Sequence, residues 1–350
     1  MTQIVEKLFS IHHAHSIPER DHLIDFLRGG AMILVLLHHS GFPLGSFILA
    51  LHMPLFFLLS GYLSSWGADM PFNRYFWKKF VRLVVPYFTF EALNLIIWCV
   101  KCVMEHRAAP GIESVFSIVT CINNSYMGLY GRLWFLPCMF VADLYVWVIL
   151  RLLCKYKFAQ ILSILLLFSL SFVTDKLIPF RLPFTIDTAL FAAAFIMLGY
   201  LFCDAIRMII DKGNDVCKII LTIVMLLYLA YSVKYTDVKV HMYINSYGEY
   251  TVSICAAIAG SVAFLILGSY MYRAVSRLQL LYDFVLWYGN NSLVSFPIHL
   301  TIKMLILWYV PILSKWYLLF GIMLILNIPI VNLTTNYLPF MLGKKYVREP

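Results

Sequence analysis

The chain has 350 residues, of which 62% are hydrophobic and 13% charged, and its mean hydropathy is +0.82. A soluble domain of this length needs far more polar residues to cover its surface, so this composition excludes a soluble globular protein. The net charge of +9 does not require a nucleic-acid partner, because basic residues collect in the cytoplasmic loops of membrane proteins. The sequence therefore predicts an all-α, polytopic membrane protein without nucleic acid.

Apolar runs long enough to cross a bilayer, roughly 17–25 residues each, recur along the whole chain. They predict about ten transmembrane helices in a single domain over residues 23–340, between an N-terminal tail (1–22) and a C-terminal tail (341–350). The predicted spans are 23–40, 46–66, 80–103, 132–154, 158–174, 184–203, 216–235, 250–272, 286–309 and 316–338.

The distribution of basic residues predicts the orientation of the chain. An even number of spans places both termini on one side of the membrane. If that side is the cytoplasm, 18 of the 27 Lys and Arg residues fall in cytoplasmic segments, which is the bias expected of such segments. We therefore predict cytoplasmic termini in a multi-pass protein of the cell membrane. The longest outer segment, about 103–131, could cap a site that faces outward.

The first predicted helix carries charged and polar side chains within an apolar sequence. Arg28 and His39 lie eleven residues apart, which is three helical turns plus about 20°, so they share one face about 16 Å apart. Asp25 shares that face and could pair with Arg28. A charge in a span costs roughly 2.5–3.5 kcal/mol, which favours a protein-lined or wet face. Two alternatives stay open: Arg28 could extend to the inner interface, and His39 could be an interfacial residue satisfied by water.

The eight cysteines do not form a metal-binding pattern. Cys99 and Cys102 make a CxxC at the end of a predicted span, without a second pair near it. Most of the others lie in apolar segments, where cysteine behaves as a small core hydrophobe. The sequence predicts no metal site.

Five segments of the chain form a recognisable series. They are LIDFLRGGAMILVLLHH, LHMPLFFLLSGYL, RYFWKKFVRLVVPYF, RLWFLPCMFVADL and YGNNSLVSFPIHL. In order and spacing they resemble the acyltransferase-3 family of integral membrane O-acyltransferases, over about residues 20–305. A sixth segment, LPFTIDTALFAAAFIMLGYL, resembles the sugar-acetylating branch of that family, often labelled fucose 4-O-acetylase-like.

The resemblance implies an acyl transfer, usually of acetyl from cytoplasmic acetyl-CoA to a sugar hydroxyl of a glycan or glycolipid. Acetyl-CoA is then a donor substrate, and no permanently bound cofactor is expected. The family's arginine and histidine correspond to Arg28 and His39. One position departs from the family pattern, because Lys79 stands where an arginine often precedes Arg82. Lysine keeps the charge but loses the bidentate fork of arginine.

Acyl transfer to an alcohol needs a base, an anchor for the donor and positive charge. Histidine titrates near neutral pH, so it can take the hydroxyl proton and return it to the thiolate. We predict His39 as the base and Arg28 as its catalytic partner on the donor side, with a passage from the cytoplasm past His39. His38 points about 100° away and is interpreted as structural. Asp143 and Glu91 are both open as acids that could orient a histidine.

Arg74, Lys78, Lys79 and Arg82 are predicted to bind polyanionic acetyl-CoA. They lie on the predicted inner loop before the third span, where Lys79 and Arg82 are neighbours at i and i+3. Lipid headgroups are the alternative partners of this basic stretch.

Polar and aromatic side chains in other spans are candidates for binding the acceptor. These are His52, Ser60, Trp134, Asn291 and His299. Asn291 also interrupts the ninth predicted span, and broken helices are tolerated where they line a cavity. A transporter or flippase of a glycan-lipid is the alternative function, although the chain shows no clear internal repeat of the kind that transporters favour. The sequence does not indicate an oligomeric state.

Overall fold

The structure is a computed structural model that describes residues 21–63, 70–122 and 133–344. Most of the predicted N-terminal tail, the last residues of the C-terminal tail and part of the segment 103–131 lie outside these ranges. The described chain is almost entirely helical, as the composition predicts.

Thirteen helices, α1 to α13, and one hairpin make up the described residues. The first seven helices are α1 His22–His39, α2 Gly45–Leu63, α3 Phe72–Met104, α4 Ile112–Thr120, α5 Phe135–Leu152, α6 Lys157–Leu177 and α7 Ile186–Leu201. The other six are α8 Cys203–Lys212, α9 Asp215–Tyr235, α10 Tyr250–Val275, α11 Gln279–Asn290, α12 Ser292–Tyr309 and α13 Trp316–Tyr337. Between α9 and α10, β1 Val238–His241 pairs antiparallel with β2 Ser246–Gly248.

In the described ranges nine helices are long and apolar enough to cross a membrane: α2, α3, α5, α6, α7 taken with the short 3-10 turn that begins at Pro183, α9, α10, α12 and α13. The helix α1 is not among the nine, because its 18 residues include Asp25, Arg28, His38 and His39. It occupies the centre of the bundle, where α2, α10, α11, α12 and α13 all pack against it. Its polar side chains therefore meet protein on most sides, and the prediction of a polytopic all-α membrane protein is confirmed.

Glycine pairs hold two of the helix crossings at backbone contact. A Cβ atom on Gly29 of α1 would lie 1.9 Å from the carbonyl oxygen of Val285, and one on Gly289 of α11 would lie 1.8 Å from a carbonyl oxygen of α1. Gly61 of α2 and Gly199 of α7 form a second crossing of the same kind. Small residues at such positions let membrane helices approach closely. The first crossing fixes the half of α1 that carries Arg28.

The third span begins earlier than predicted, and the predicted loop before it is wrong. The segment that precedes residue 80 is helical and continues into the span through a π-helical turn at Phe80–Val84. Phe76 contacts Phe72 and Phe80, with ring centroids 5.8 and 5.9 Å apart. Aromatic side chains at four-residue spacing support a helix, so the basic residues predicted on a loop lie on the first turns of α3.

The ninth predicted span, 286–309, is two helices. The chain breaks at Asn291, whose side-chain amide donates to the carbonyl oxygen of Trp287 at 2.9 Å and so caps α11. Asparagine side chains compete with the helical backbone in this way. The membrane-crossing helix α12 then begins at Ser292.

Candidate active site

A cavity of about 250 Å³ opens beside the N-terminal half of α1. Helices α1, α2, α3, α5 and α12 contribute its wall. Its cationic side chains are Arg28, Lys78, Lys79 and Arg82, and its larger apolar ones include Phe56, Phe135, Met139 and Phe296. A cavity lined by both cations and aromatic groups suits a ligand with an anionic part and an apolar arm.

Arg28 is held in the cavity wall by two partners. Its Nη2 donates to Ser292 Oγ at 3.0 Å, and its Nη1 lies 3.7 Å from Asp25 Oδ1. The predicted pair of Arg28 with Asp25 is therefore present. The other partner, Ser292, is the first residue after the helix break at Asn291. The arginine side chain is 23% exposed. The structure favours the protein-lined face for Arg28 over the alternative of an arginine at the inner interface.

Lys79 forms an ion pair with Asp143 of α5, with Nζ and Oδ2 2.6 Å apart. The Asp143 side chain is 1% exposed, and Tyr75 donates to its backbone carbonyl at 3.4 Å. Sequence reasoning offered Asp143 as a partner for a histidine. The structure places it against the lysine instead, so part of the Lys79 charge is already neutralised within the wall.

The remaining cofactor-binding candidates differ in position. Lys78 and Arg82 are exposed and line the cavity, so they stand at its mouth. Arg74 is exposed but does not belong to the wall. Three of the four basic residues predicted to bind the donor therefore meet at one cavity, together with Arg28.

Four histidines form a row at the C-terminal end of α1, and we call them the histidine row. Their order in space is His52 of α2, His38 and His39 of α1, and His299 of α12. Successive ring centroids are 5.1, 5.2 and 5.1 Å apart. His52 and His299 are buried, whereas His38 and His39 are half-buried. The row brings together three of the candidate residues, His39, His52 and His299.

Three of the four imidazoles are fixed by a hydrogen bond from Nδ1 to a backbone carbonyl. The bonds are His38 to Gly45 (3.1 Å), His52 to Ile48 (2.7 Å) and His299 to Ser295 (3.2 Å). A carbonyl oxygen can only accept, so Nδ1 carries the proton in each and the neutral ring keeps a lone pair on Nε2. Among the described residues, His39 makes ring contacts but no such bond.

An aromatic pair lies between the cavity and the histidine row. Phe296 belongs to the cavity wall and packs on Phe135, with ring centroids 5.0 Å apart. Its other side meets His299, at 5.7 Å between centroids. His39 is not part of the wall of this cavity. These two rings therefore connect the cavity wall to the histidine row.

Basic groups border the histidine row on its other side. The charge of Lys303 in α12 acts on His38, His39 and His299. His241 of β1 lies close enough to His38 to interact with it electrostatically, and β1 packs on α2. Burial and, to a smaller degree, the charge of Lys239 lower the pKa of His241.

The acceptor-binding candidates do not form one group. Ser60 lines the cavity that contains Arg28, so it lies away from the histidine row. Trp134 directly precedes α5, is half-buried and is not in the cavity wall. Asn291 caps α11. The structure places only His52 and His299 near His39.

The contribution of two aromatic side chains to the site was not predicted. Phe296 and Phe135 carry no sequence signal, since the chain has 27 phenylalanines. Asp187, a polar residue within a predicted span, pairs with both Nε and Nη2 of Arg181, at 2.6 and 3.1 Å. This pair ties the segment before α7 to that helix and lies apart from the cavity. In the described ranges no group of three or more His, Cys, Asp or Glu side chains could hold a metal ion.

One comparison with known proteins identifies the family of the chain. A family model described as an acyltransferase domain, Acyl_transf_3, matches residues 21–338. No match was found among curated proteins or among solved structures. The matched range covers nearly the whole chain, with both the cavity and the histidine row. The chain therefore belongs to the acyltransferase-3 family.

Proposed function

We propose that this protein transfers an acetyl group from cytoplasmic acetyl-CoA to a sugar hydroxyl of a cell-surface glycan or glycolipid. Family membership supports a membrane acyltransferase with an acyl donor and an acceptor, and it does not favour the transporter alternative. One observation carries the finer statement: a single central helix holds Arg28 in a cationic cavity and His39 in a row of imidazoles.

The cavity suits the donor because coenzyme A is a polyanion with an apolar arm. Lys78 and Arg82 are exposed at the mouth, where they can meet the nucleotide phosphates. Charge-assisted hydrogen bonds of this type are roughly twice as strong as neutral ones. We place the nucleotide at the exposed mouth and the arm with its thioester among the apolar side chains of the interior.

The distance between Arg28 and His39 decides how the two residues divide the work. Side chains about 16 Å apart along one helix cannot contact the same reacting atom. Even at an effective dielectric constant of 20, two unit charges at that distance interact by only about 1 kcal/mol. Arg28 therefore binds the donor, and His39 acts on the acceptor hydroxyl.

The transfer itself needs one mobile proton. Neutral His39 takes the proton of the sugar hydroxyl while the oxygen attacks the thioester carbonyl carbon. A carbon–oxygen bond forms and the carbon–sulfur bond breaks. The imidazolium then gives its proton to the leaving thiolate. The products are an acetyl ester and free coenzyme A, and His39 returns to its neutral form.

Transfer by the purified protein in detergent tests this function. The assay supplies acetyl-CoA with a panel of oligosaccharides and measures acetylated product by mass spectrometry and free thiol by absorbance. His39→Ala is expected to lose about 10²- to 10⁴-fold in kcat, the usual contribution of a general base. His38→Ala is the matched control, since His38 is the half-buried neighbour whose Nδ1 is fixed by Gly45. Wild-type protein without transfer, or full activity in His39→Ala, would contradict the proposal.

A further inference from the structure

The imidazole of His299 has one nitrogen that the fold leaves without a partner. The side chain is fully buried, and its Nδ1 is bound to the carbonyl oxygen of Ser295. Its Nε2 has no hydrogen-bond partner among the described residues. Buried polar atoms are nearly always hydrogen-bonded, so an exception in the interior needs an explanation. His39, whose ring centroid lies 5.1 Å away, is a candidate partner.

The surroundings of His299 fix its ring and its tautomer. The carbonyl oxygen of Ser295 also accepts from Nδ2 of Asn327, a fully buried residue of α13, at 3.4 Å. Phe296 packs edge-on against the imidazole. Because Nδ1 is committed to this carbonyl, Nε2 of the neutral ring is an acceptor. Helices α12 and α13 thus hold a lone pair in a defined place beside the half-buried His39.

We infer that His299 is a positioning residue for His39, whose ring N–H it accepts through Nε2. Two imidazoles at this centroid separation can bring facing nitrogens within hydrogen-bond distance. Such bonds are commonly long before substrate binds and tighten in the reacting complex. The bond would hold the other nitrogen of His39 towards the acceptor hydroxyl. The inference rests on the proposed function, because it assigns His299 a part in that reaction.

The role can be followed through the proton transfer. When His39 takes the hydroxyl proton on one nitrogen, its other N–H remains hydrogen-bonded to Nε2 of His299. An acceptor at this position stabilises the imidazolium, because a hydrogen bond from a charged donor is the stronger kind. The proton gained from the hydroxyl passes to the thiolate. His299 keeps its own Nδ1 proton throughout and touches no substrate.

Other neighbours of His39 fit this role less well. The ring centroid of His38 lies 5.2 Å from that of His39, but His38 is half-buried and its ring also faces His52. Asp143, one of the two acids that the sequence offered, is paired with Lys79. His299 combines full burial, a fixed tautomer and an unpartnered acceptor.

Two substitutions at His299 separate the role of Nε2 from that of Nδ1. In His299→Gln the side-chain carbonyl can occupy the place of Nε2, so an acceptor for His39 is retained. In His299→Asn the amide can replace Nδ1 at the Ser295 carbonyl, but no acceptor reaches His39. We expect His299→Asn to lose about 10- to 100-fold in kcat, the range for one hydrogen bond to a charged group. His299→Gln should recover most of that loss. The KM for acetyl-CoA should stay the same in both, since the donor cavity lies elsewhere.

His52→Asn is the matched control. His52 is also buried and also bound through Nδ1 to the carbonyl four residues earlier, but its ring faces His38. Its kcat should fall several-fold less than that of His299→Asn. Protein yield and the thermal midpoint in detergent are measured for every variant, so that a folding defect is seen directly.

The outcomes distinguish this inference from the proposed function. Equal kcat in wild type and His299→Asn, with transfer intact, would overturn the inference alone. Equal losses in His299→Gln and His299→Asn would also overturn it, because the acceptor would then be irrelevant. Wild-type protein that transfers no acetyl group would instead overturn the proposed function.

Discussion

The two ends of α1 differ in the kind of polar group that meets there. At the Arg28 end the groups are fixed cations, held by Ser292, Asp25 and Asp143 around an open cavity. At the His39 end they are imidazoles, three of which backbone carbonyls keep in one tautomer. Permanent charges bind an anion without changing state, whereas neutral imidazoles can take and return a proton. In the proposed function, donor binding and proton transfer are thus separated along one helix.

The separation depends on a helix that cannot shift between its neighbours. Five helices surround α1, and its contact with α11 is backbone on backbone at Gly29 and Gly289. Phe296 is the residue that both regions share, since it lines the cavity and packs on His299. A substitution can therefore act on one region, on the other, or on the frame that holds both.

The largest effect is expected from Gly29→Ala, which acts on the frame. The new methyl group would lie 1.9 Å from a backbone oxygen of α11, so the helices must separate. Overpacking of this kind costs about 1–3 kcal/mol or more, and we expect a large fall in yield and thermal midpoint. Gly30→Ala is the control on the next residue, where the methyl group would meet only the Phe264 ring at 3.1 Å. Equal stability of the two variants would show that this crossing is not tight.

Arg28→Gln should change donor binding and leave the chemistry nearly intact. Loss of a charged hydrogen-bonding group costs about 1.5–3 kcal/mol, so the KM for acetyl-CoA should rise about 10- to 100-fold. The KM of Arg28→Lys should fall between those of wild type and Arg28→Gln, because lysine keeps the charge but lacks the bidentate fork of arginine. Steady-state kinetics with varied donor measure both constants. A fall in kcat at constant KM would place Arg28 in the chemical step and break the comparison between the two ends.

The pair of Lys79 and Asp143 tests which cations bind the donor. Asp143→Leu alone leaves a lysine without its partner and should lower stability by about 3 kcal/mol at most, since Lys79 is partly exposed. The double variant Lys79→Met/Asp143→Leu should recover much of that loss. If Asp143 neutralises the charge of Lys79, so that the lysine does not bind the donor, the double variant should bind acetyl-CoA nearly as well as wild type. A loss as large as that of Arg28→Gln would assign Lys79 directly to the donor.

The smallest effect is expected at the mouth of the cavity. Arg82 is exposed and on the wall, so Arg82→Gln should raise the KM for acetyl-CoA by about two- to fivefold, as befits a solvated charge. This increase should shrink at high salt, where exposed charges are screened. Arg74→Gln removes an equally exposed arginine outside the wall and should have a smaller effect. The reverse order would move the donor site along α3.

Local features of the site could be predicted from the sequence, and contacts between distant segments could not. The shared face of Asp25, Arg28 and His39 follows from helical periodicity alone. The contact of His299 with His39, and that of Lys79 with Asp143, depend on how separate helices pack. Residue type alone does not identify the partner of Asp143, which could have been a histidine. The packing of α3 beside α5 makes that partner Lys79.

The predicted helix boundaries were wrong where local side-chain chemistry overrides hydrophobicity. The first turns of α3 are amphipathic, so a search for apolar runs begins the helix too late. The break at Asn291 depends on one side-chain hydrogen bond inside an otherwise apolar stretch. Both errors concern the site. The late predicted start of α3 leaves Lys79 on a loop, and the prediction of one span across Asn291 leaves out the start of α12, where Ser292 contacts Arg28.

Binding of acetyl-CoA to the His39→Ala protein tests the division of labour most directly. Equilibrium binding in detergent, without acceptor, should give a dissociation constant within about threefold of wild type, because the donor contacts lie at the other end of α1. Adding Arg28→Gln to that protein should weaken binding by about tenfold or more. Loss of binding in His39→Ala alone, or undiminished binding in the double variant, would contradict the account.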